Sequence, residues 1–351
     1  MTRDELEALI AHQGRLTNVD ASGLDLTGID LGGVVIEQSS FRGSRMQSAN
    51  LKETIIHGAD FTGCDLSGSS FHLTQLVGAS FEGASLIGAN LQASQLHNGV
   101  FVSADFTEAD LYMATFTHGE MRGVKLGGAK RLERVSLITC NLEQVDLSGA
   151  HLDKSFVYQG DLTTMNLTGA RLDKVVFHEV VMTGMDLAGR TFEICSFIGA
   201  EMTGVVLNEA ELKQCNFMKA NMVGAELDAV KGANTLFVET TLTDASARNS
   251  NLYAAIFSDG DFSRTTFEGS DLRHTVWHRA KCQGTVFEGV KLKEADMSHA
   301  DLSMTNFTGA GLYRTRLHCV NSDKAVFGPG RALALETDER LARAENFEPQ
   351  Y

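Results

Sequence analysis

The chain has 351 residues and a formal net charge of −15, and 43% of its residues are hydrophobic while 21% are charged. This composition permits a water-excluding core and argues against global disorder. Only 2 of its residues are proline, Pro329 and Pro349, and both lie near the C-terminus. Because proline lacks the N–H that a backbone hydrogen-bond ladder needs, the long body before them can form one uninterrupted element.

Neither a signal peptide nor a membrane span is evident. The N-terminal sequence MTRDELEALIAHQG contains no long apolar run, and an apolar stretch of about 18 residues, which a membrane helix needs, occurs nowhere. We expect a cytoplasmic protein without membrane contact, while export by a dedicated secretion system stays open. The 6 cysteines are scattered without CxxC pairs, so we expect small buried side chains rather than disulfides or metal ligands.

Residues 1–15 are predicted to form an N-terminal cap helix. Thr2 followed by Glu5 is a capping-box pattern, and Leu6, Leu9 and Ile10 share one helical face. A helix here would cover the open end of a stacked structure.

Residues 16–327 are organised by a five-residue period. Large apolar side chains recur at every fifth position, and 18 of the 20 Phe lie on that position, Phe156 and Phe347 being the exceptions. Two residues earlier the side chain is usually small, as at Ala59 and Cys64, and a polar residue stands between them. The small and large residues therefore face one side of a short extended segment, and the two remaining positions form a turn.

The number of segments in a coil follows from the aromatic residues. Phe recurs 20 residues apart at positions 41, 61, 81 and 101, which predicts coils of four segments with Phe rings stacked inside. The sequence thus predicts an all-β, four-sided solenoid, a rod of about 16 coils.

Two segments depart from the period. Leu126 and Leu132 are six residues apart, which predicts a bulge or joint at residues 127–131. The C-terminal tail, residues 328–351, carries Leu333, Leu335 and Phe347 among charges. It could be a cap helix, an element that forms a homodimer or a partly disordered tail.

The segments ANLQA, ADFTG, ADLYM, ANMVG and ADLSM resemble the pentapeptide repeat family, and the resemblance covers residues 16–327. It implies a right-handed quadrilateral β-helix. It says little about function, because the repeats of this family encode a shape.

No catalytic, cofactor-binding or metal-binding residues are predicted. The chain lacks the motifs of common enzymes, and a filled solenoid offers no concave pocket. His57 and His97 share a face but lie two coils apart, as do His278 and His318, and about 9.6 Å is too far for one zinc ion. His274 and His278 have no evident third ligand, so the histidines are predicted to be polar surface residues.

Charge gives the remaining functional signal, because no Lys or Arg occurs between Lys52 and Arg122. This segment carries a candidate acidic interaction patch, the residues Glu53, Asp60, Asp65, Glu82, Asp105, Glu108, Asp110 and Glu120. They cover about 17 Å of the solenoid axis, which approaches the density of duplex DNA at one charge per roughly 1.7 Å. We therefore expect no direct nucleic-acid binding here, although the patch could imitate a nucleic acid.

Two functions remain open. The first is a non-enzymatic scaffold or adaptor that presents rigid faces to an unidentified protein partner. Long chains resembling this one occur beside bacterial secretion machinery, including type VI systems, and the resemblance implies such a link. The alternative, implied by the quinolone-resistance members of the family, is an acidic DNA mimic that binds DNA gyrase or topoisomerase. The greater length of this chain and its neutral C-terminal third favour the scaffold.

Overall fold

The computed structural model describes residues 1–345 and divides the chain into two compact units, Met1–Val176 and Phe177–Tyr351. Both units are parallel β-solenoids built from the five-residue segments. The predicted fold class is therefore confirmed. No helix in residues 1–345 has the length and apolar character needed to cross a bilayer.

Unit 1 begins with the predicted helix, α1 (Arg3–Gln13). Thr2 caps it: its hydroxyl accepts the Glu5 N–H, and the Glu5 carboxylate accepts the Thr2 N–H. Leu6 is buried, and Gly14 ends the helix in a left-handed conformation that favours glycine. Helix α1 thus packs one apolar residue against the first coil.

The strands of unit 1 are short and pair in parallel with a 20-residue offset, as in Leu76 beside Leu96. They are β1 (Arg15–Thr17), β2 (Val35–Glu37), β3 (Ile55–His57), β4 (Gln75–Val77), β5 (Gln95–His97), β6 (Thr115–Thr117), β7 (Leu132–Glu133), β8 (Ser136–Ile138), β9 (His151–Asp153), β10 (Phe156–Tyr158) and β11 (Arg171–Asp173). One sheet contains β1 to β6, then β8 and β10, and a second contains β7, β9 and β11. Single parallel bridges continue the ladder on the other sides of the coil, as between Asp65 and Ser85.

Each coil of unit 1 has four faces, numbered here by the buried central residue of one coil. Face 1 carries Phe61, face 2 Leu66, face 3 Phe71 and face 4 Leu76, all of them almost fully buried. Strands β1 to β6, β8 and β10 form face 4. Successive faces are joined by turns whose middle residue has a positive φ, such as Gly63 at 66° and Leu73 at 59°.

The core of unit 1 contains the predicted aromatic ladder. The rings of Phe41, Phe61, Phe81 and Phe101 are stacked with centroids 4.9–5.3 Å apart. Where serine or threonine replaces the small alanine, its buried hydroxyl donates to a backbone carbonyl. The acceptor belongs to the preceding coil at Thr54, which donates to Leu31 at 2.9 Å, and to the same coil at Ser69, which donates to Leu66 at 2.6 Å. The interior therefore contains polar side chains without leaving their hydrogen bonds unmade.

The six-residue spacing between Leu126 and Leu132 is accommodated at a single corner of the coil. Bridges that span the insertion pair residues 21 apart, as between Asp110 and Arg131. The N–H groups of Lys130 and Arg131 both donate to the Ala109 carbonyl. Leu126 and Leu132 are both buried. The extra residue is therefore accommodated as a bulge at a corner of unit 1, and the ladder continues beyond it.

The boundary between the units falls within β12 (Val176–His178), and unit 2 repeats the same architecture. Its further strands are β13 (Thr191–Glu193), β14 (Glu211–Lys213), β15 (Asn306–Phe307) and β16 (Val326–Phe327). Most of its ladder consists of single bridges with the 20-residue offset. Its core contains a column of six stacked aromatic rings, formed by Phe177, Phe197, Phe217, Phe237, Phe257 and Trp277.

The described part of the tail is folded. It contains a 3₁₀ helix (Pro329–Leu333) and helix α2 (Glu339–Glu345). Leu335 exchanges backbone hydrogen bonds with Thr315 and Leu317, each 2.8 Å long, so this segment lies along a coil of unit 2. Phe347, which belongs to the predicted tail, lies outside the described residues.

Candidate interaction surfaces

The acidic residues of the repeat stabilise its turns. The Asp65 carboxylate accepts the N–H of Ser67 at 3.0 Å, and Asn50 does the same for Lys52 at 3.1 Å. The same bond recurs at Asp105 and Asp110. The sequence predicts these Asp and Asn residues to be simply solvated, whereas the structure shows half-buried side chains that cap backbone N–H groups.

The carboxylates of Asp60, Asp65 and Asp105 stay ionised at neutral pH. Partial burial alone would raise the pKa of Asp65, but the hydrogen bonds from Ser67 and Gln47 outweigh it, and the pKa lies below its ordinary value. The balance is the same at Asp60 and Asp105, where Thr62 and Thr107 donate. The turns therefore keep their negative charge.

The eight residues of the acidic interaction patch do not form one surface. The residues of face 1 are Asp60, Glu82 and Glu120, those of face 2 are Asp65 and Asp105, Asp110 is on face 3, and Glu108 and Glu53 lie at the corners that follow faces 2 and 3. None lies on face 4. The patch therefore surrounds three sides of unit 1.

Basic residues next to this segment neutralise half of the patch. Asp60 lies 3.6 Å from Arg42, Asp105 lies 3.1 Å from Lys125 and Asp110 lies 3.3 Å from Arg131. Glu53 lies 3.4 Å from its neighbour Lys52. The other four members have no Lys or Arg nitrogen within 4 Å among residues 1–345: Asp65, Glu82, Glu108 and Glu120. The density of unpaired charge is thus half of that expected from the sequence.

An open groove lies beside the six-residue step. Gln92, Glu108, Asp110 and Lys130 line it. The Arg131 guanidinium stacks over the Tyr112 ring at 3.9 Å and approaches Asp110. Asp110 is paired with Arg131 here, whereas Glu108 has no Lys or Arg nitrogen within 4 Å among residues 1–345. The lining residues that the structure describes do not form a catalytic arrangement.

Face 4 differs from the other faces because its outward side chains carry no charge over six consecutive coils. This neutral face of unit 1 consists of Ile55, His57, Gln75, Val77, Gln95, His97, Thr115, Thr117, Ser136, Ile138, Phe156 and Tyr158. Leu73 and Met113, at the corner before face 4, are 45% and 46% exposed. Val77 is 38% exposed on the face itself. The face itself lacks Asp, Glu, Lys and Arg, and the corner before it is apolar in its middle coils, whereas Glu53, Arg134 and Lys154 occupy that corner in the outer coils.

Unit 2 has a corresponding uncharged surface outside its aromatic column. Its members are Ser196, Ile198, Asn216, Met218, Leu236, Val238, Ile256, Ser258, Val276 and His278, none of them acidic, lysine or arginine. Clusters of charge, the signal that indicated the acidic interaction patch, do not mark either of these two surfaces. The signal that could have revealed them is an absence of charge that recurs every 20 residues.

The histidines largely follow expectation. His57 and His97 belong to β3 and β5, which β4 separates, and His274 and His278 contact different carboxylates, Glu294 and Asp296. The expectation of surface histidines is wrong for His318, whose side chain is 3% exposed. His318 lies close to His299 and Glu345, a grouping that the sequence did not reveal.

Stacked five-residue segments around a filled interior define a β-solenoid repeat protein. A model of pentapeptide repeats matches eight copies, at residues 29–68, 64–101, 84–123, 195–231, 235–274 and 278–318, which together make up more than half of the chain. The chain therefore belongs to the pentapeptide repeat family. No curated protein matches it.

Solved structures of other pentapeptide repeat proteins are similar to parts of the chain. One, from the Arabidopsis thaliana thylakoid lumen, is 27% identical over 29% of this chain and 71% of its own, with a TM-score of 0.28. HetL from the cyanobacterium Nostoc, which is involved in heterocyst differentiation regulation, is 18% identical over 89% of this chain and 97% of its own, with a TM-score of 0.18. QnrB1, a plasmid-mediated fluoroquinolone resistance protein, is 16% identical over 60% of this chain and 91% of its own, with a TM-score of 0.27. Superpositions this weak support no conclusion about activity.

Proposed function

We propose that the protein is a non-enzymatic interaction scaffold whose neutral face of unit 1 binds an uncharged surface of a protein partner. The observation that carries this proposal is the absence of Asp, Glu, Lys and Arg from six coils of face 4, in a chain whose net charge is −15. Charged residues are depleted from the cores of protein interfaces, because burying them without a partner is costly.

The centre of this face meets further requirements of an interface. Around β4 to β6, Leu73 and Met113 offer exposed apolar side chains, and Gln75 and Gln95 offer amides that both donate and accept hydrogen bonds. The backbone beneath is held by the parallel ladder. A partner would therefore meet a preorganised surface, which lowers the entropic cost of association.

One pair of substitutions tests this surface. Val77→Glu places a charge on face 4, and Ile87→Glu places the same charge on face 2 at a side chain of equal exposure, 38% against 39%. In affinity capture from cells that express the protein, we expect a partner retained by the wild type and by Ile87→Glu but lost with Val77→Glu. Equal retention by both variants, or no retained partner, would contradict the proposal.

A second candidate is an acidic DNA mimic that binds DNA gyrase. The observation in its favour is the set of four unpaired carboxylates, Asp65, Glu82, Glu108 and Glu120. Against it stands the neutralisation of the other four by Lys52, Arg42, Lys125 and Arg131.

A supercoiling assay with purified gyrase decides this second candidate. If the protein is a DNA mimic, the wild type inhibits supercoiling and a variant with Asp65→Asn, Glu82→Gln, Glu108→Gln and Glu120→Gln does not. Asparagine at position 65 keeps the turn hydrogen bond, as Asn50 and Asn90 show, so circular dichroism should confirm an intact fold. Absence of inhibition by micromolar wild-type protein removes the candidate.

The other predictions from the sequence stay predictions. They are the link to type VI or other secretion machinery, the cytoplasmic location and the homodimer formed through the tail. Leu333 and Leu341 of the tail are 56% and 43% exposed, which supports a test of the homodimer by sedimentation of the wild type and a double glutamate variant.

A further inference from the structure

Two histidines and a carboxylate converge at the C-terminal end of unit 2. His299 and His318 lie in successive coils, and Glu345 is the last residue of α2. The Glu345 Oε2 atom is 3.3 Å from His299 Nε2 and 3.0 Å from His318 Nε2. One donor atom from each side chain lies within 4.8 Å of the other two.

The fold holds the two rings in place. The backbone N–H of His299 donates to the backbone carbonyl of His318 at 2.9 Å. The two imidazole rings pack edge to face, with centroids 5.3 Å apart. His318 is buried beneath the tail, and its Nδ1 atom accepts the N–H of Asp338 at 3.1 Å. The Asp338 carboxylate in turn accepts the N–H groups of Arg340 and Leu341 at the start of α2. Helix α2 is thus positioned against the same coil that carries the histidines.

We propose that His299, His318 and Glu345 form a binding site for a divalent transition-metal ion, of which zinc fits best. Imidazole nitrogens and a carboxylate are zinc ligands, whereas calcium and magnesium prefer oxygen ligands alone. A tetrahedral zinc ion with bonds of 2.0–2.1 Å has ligand atoms about 3.3–3.4 Å apart. The nitrogen-to-oxygen distances of 3.3 and 3.0 Å are close to that spacing.

Cys319 lies next to the cluster but is not among the three side chains whose donor atoms lie within 4.8 Å of one another. Its Sγ atom lies 3.5 Å from His318 Nε2, and its side chain is only partly buried. The three clustered side chains leave the fourth position of a tetrahedral zinc ion to a water molecule. The partly exposed His299 and Glu345 leave the site open to entry of the ion from solvent.

Metal binding changes the tautomer of His318. Because the Asp338 N–H donates to Nδ1, the metal-free ring carries its proton on Nε2, which donates to Glu345. When zinc binds to Nε2, the Nε2 proton is released to solvent. A proton is then taken up at Nδ1, so the ring stays neutral. The Asp338 N–H then loses its acceptor, but one hydrogen bond contributes far less free energy than zinc coordination.

The site does not depend on the proposed function, because it lies in unit 2 and involves none of the residues of the neutral face of unit 1. Its effect is to tie the end of α2 to the coil of His299. We therefore expect zinc to slow hydrogen exchange in residues 339–345, but not at the Asp338 amide, which loses its acceptor.

Calorimetric titration of the EDTA-treated full chain with zinc alone tests the site. We expect one ion per chain, and at least about tenfold weaker binding for His299→Ala and Glu345→Gln. Both side chains are partly exposed, so the fold should survive the two substitutions. His274→Ala is the matched control, because His274 contacts Glu294 at 3.5 Å outside the cluster and should bind zinc like the wild type. No binding by the wild type in the micromolar range, or unchanged affinity in the first two variants, would overturn the proposal.

Cobalt and NMR provide readouts that do not depend on affinity. A Co²⁺ complex should show the intense visible absorption of a tetrahedral site. In NMR spectra, the chemical shifts of the His318 ring nitrogens should change upon zinc addition from those of the Nε2–H tautomer to those of the Nδ1–H tautomer. An octahedral cobalt spectrum, or an unchanged His318 tautomer in zinc, contradicts the assignment.

Discussion

Replacing Phe257 with alanine should lower the free energy of unfolding by about 3–5 kcal/mol. The Phe257 ring is fully buried and lies between two other rings, 3.9 Å from Trp277 and 5.1 Å from Phe237, measured between centroids. Alanine would remove both stacking contacts and leave a cavity that neighbouring coils cannot close, because the ladder fixes their spacing.

Urea unfolding followed by tryptophan fluorescence measures this effect. Trp277 is the only tryptophan of the chain and is fully buried, so its emission reports the unfolding of unit 2. Tyr253→Ala is a suitable control in the same unit, because Tyr253 is 38% exposed and its loss should cost less than about 1 kcal/mol. A loss of similar size in both variants would mean that the stacked column contributes little to stability.

Only one of the six cysteines should react rapidly with a thiol reagent in the native protein. Burial raises the pKa of Cys64 to about 11 and that of Cys215 to about 12, and it also raises the pKa of Cys282. Cys140 is shifted in the same direction. Because the thiolate is the reactive form, these thiols should be nearly inert at mild alkaline pH, unlike the partly exposed Cys319.

Thiol titration in EDTA, with and without denaturant, checks this expectation. We expect one fast thiol in the native state and six after unfolding, because the other five thiols are buried. At Cys64, whose pKa is raised from 9.0 to about 11, the thiolate fraction alone is lower by about 100-fold. Cys319→Ser should abolish the fast phase. Two or more fast thiols in the native protein would show that the coils open locally on the timescale of the reaction.

The five-residue period was sufficient to predict the coil, its four faces and its interior. This succeeded because each position has a different steric requirement: Phe61 and Phe81 fit the central position, and a small residue such as Ala59 fits beside the next coil. Phe156 shows the strength of the pattern. Phe156 does not occupy the every-fifth position of the repeat. The structure places its side chain on the outer side of the strand, and the neighbouring Val157 is buried in the core.

The sites were less predictable because they depend on contacts between coils and with the tail. The pairing of Asp105 with Lys125 joins residues 20 apart, and a count of charge along the chain does not include it. His299 and His318 are 19 residues apart, so they lie at different positions of the repeat, and only the docking of α2 brings Glu345 to them. No local sequence rule predicts that docking.

The turn hydrogen bond has an evolutionary consequence. Since the side-chain oxygens of Asp65 and Asn50 cap the backbone equally well, a single nucleotide change in either codon would alter the charge of a face and leave the coil intact. Electrostatic recognition in such a protein can therefore diverge without a loss of stability that would need compensation. Successive coils act as independent positions, roughly 4.8 Å apart, at which selection can add or remove a charge.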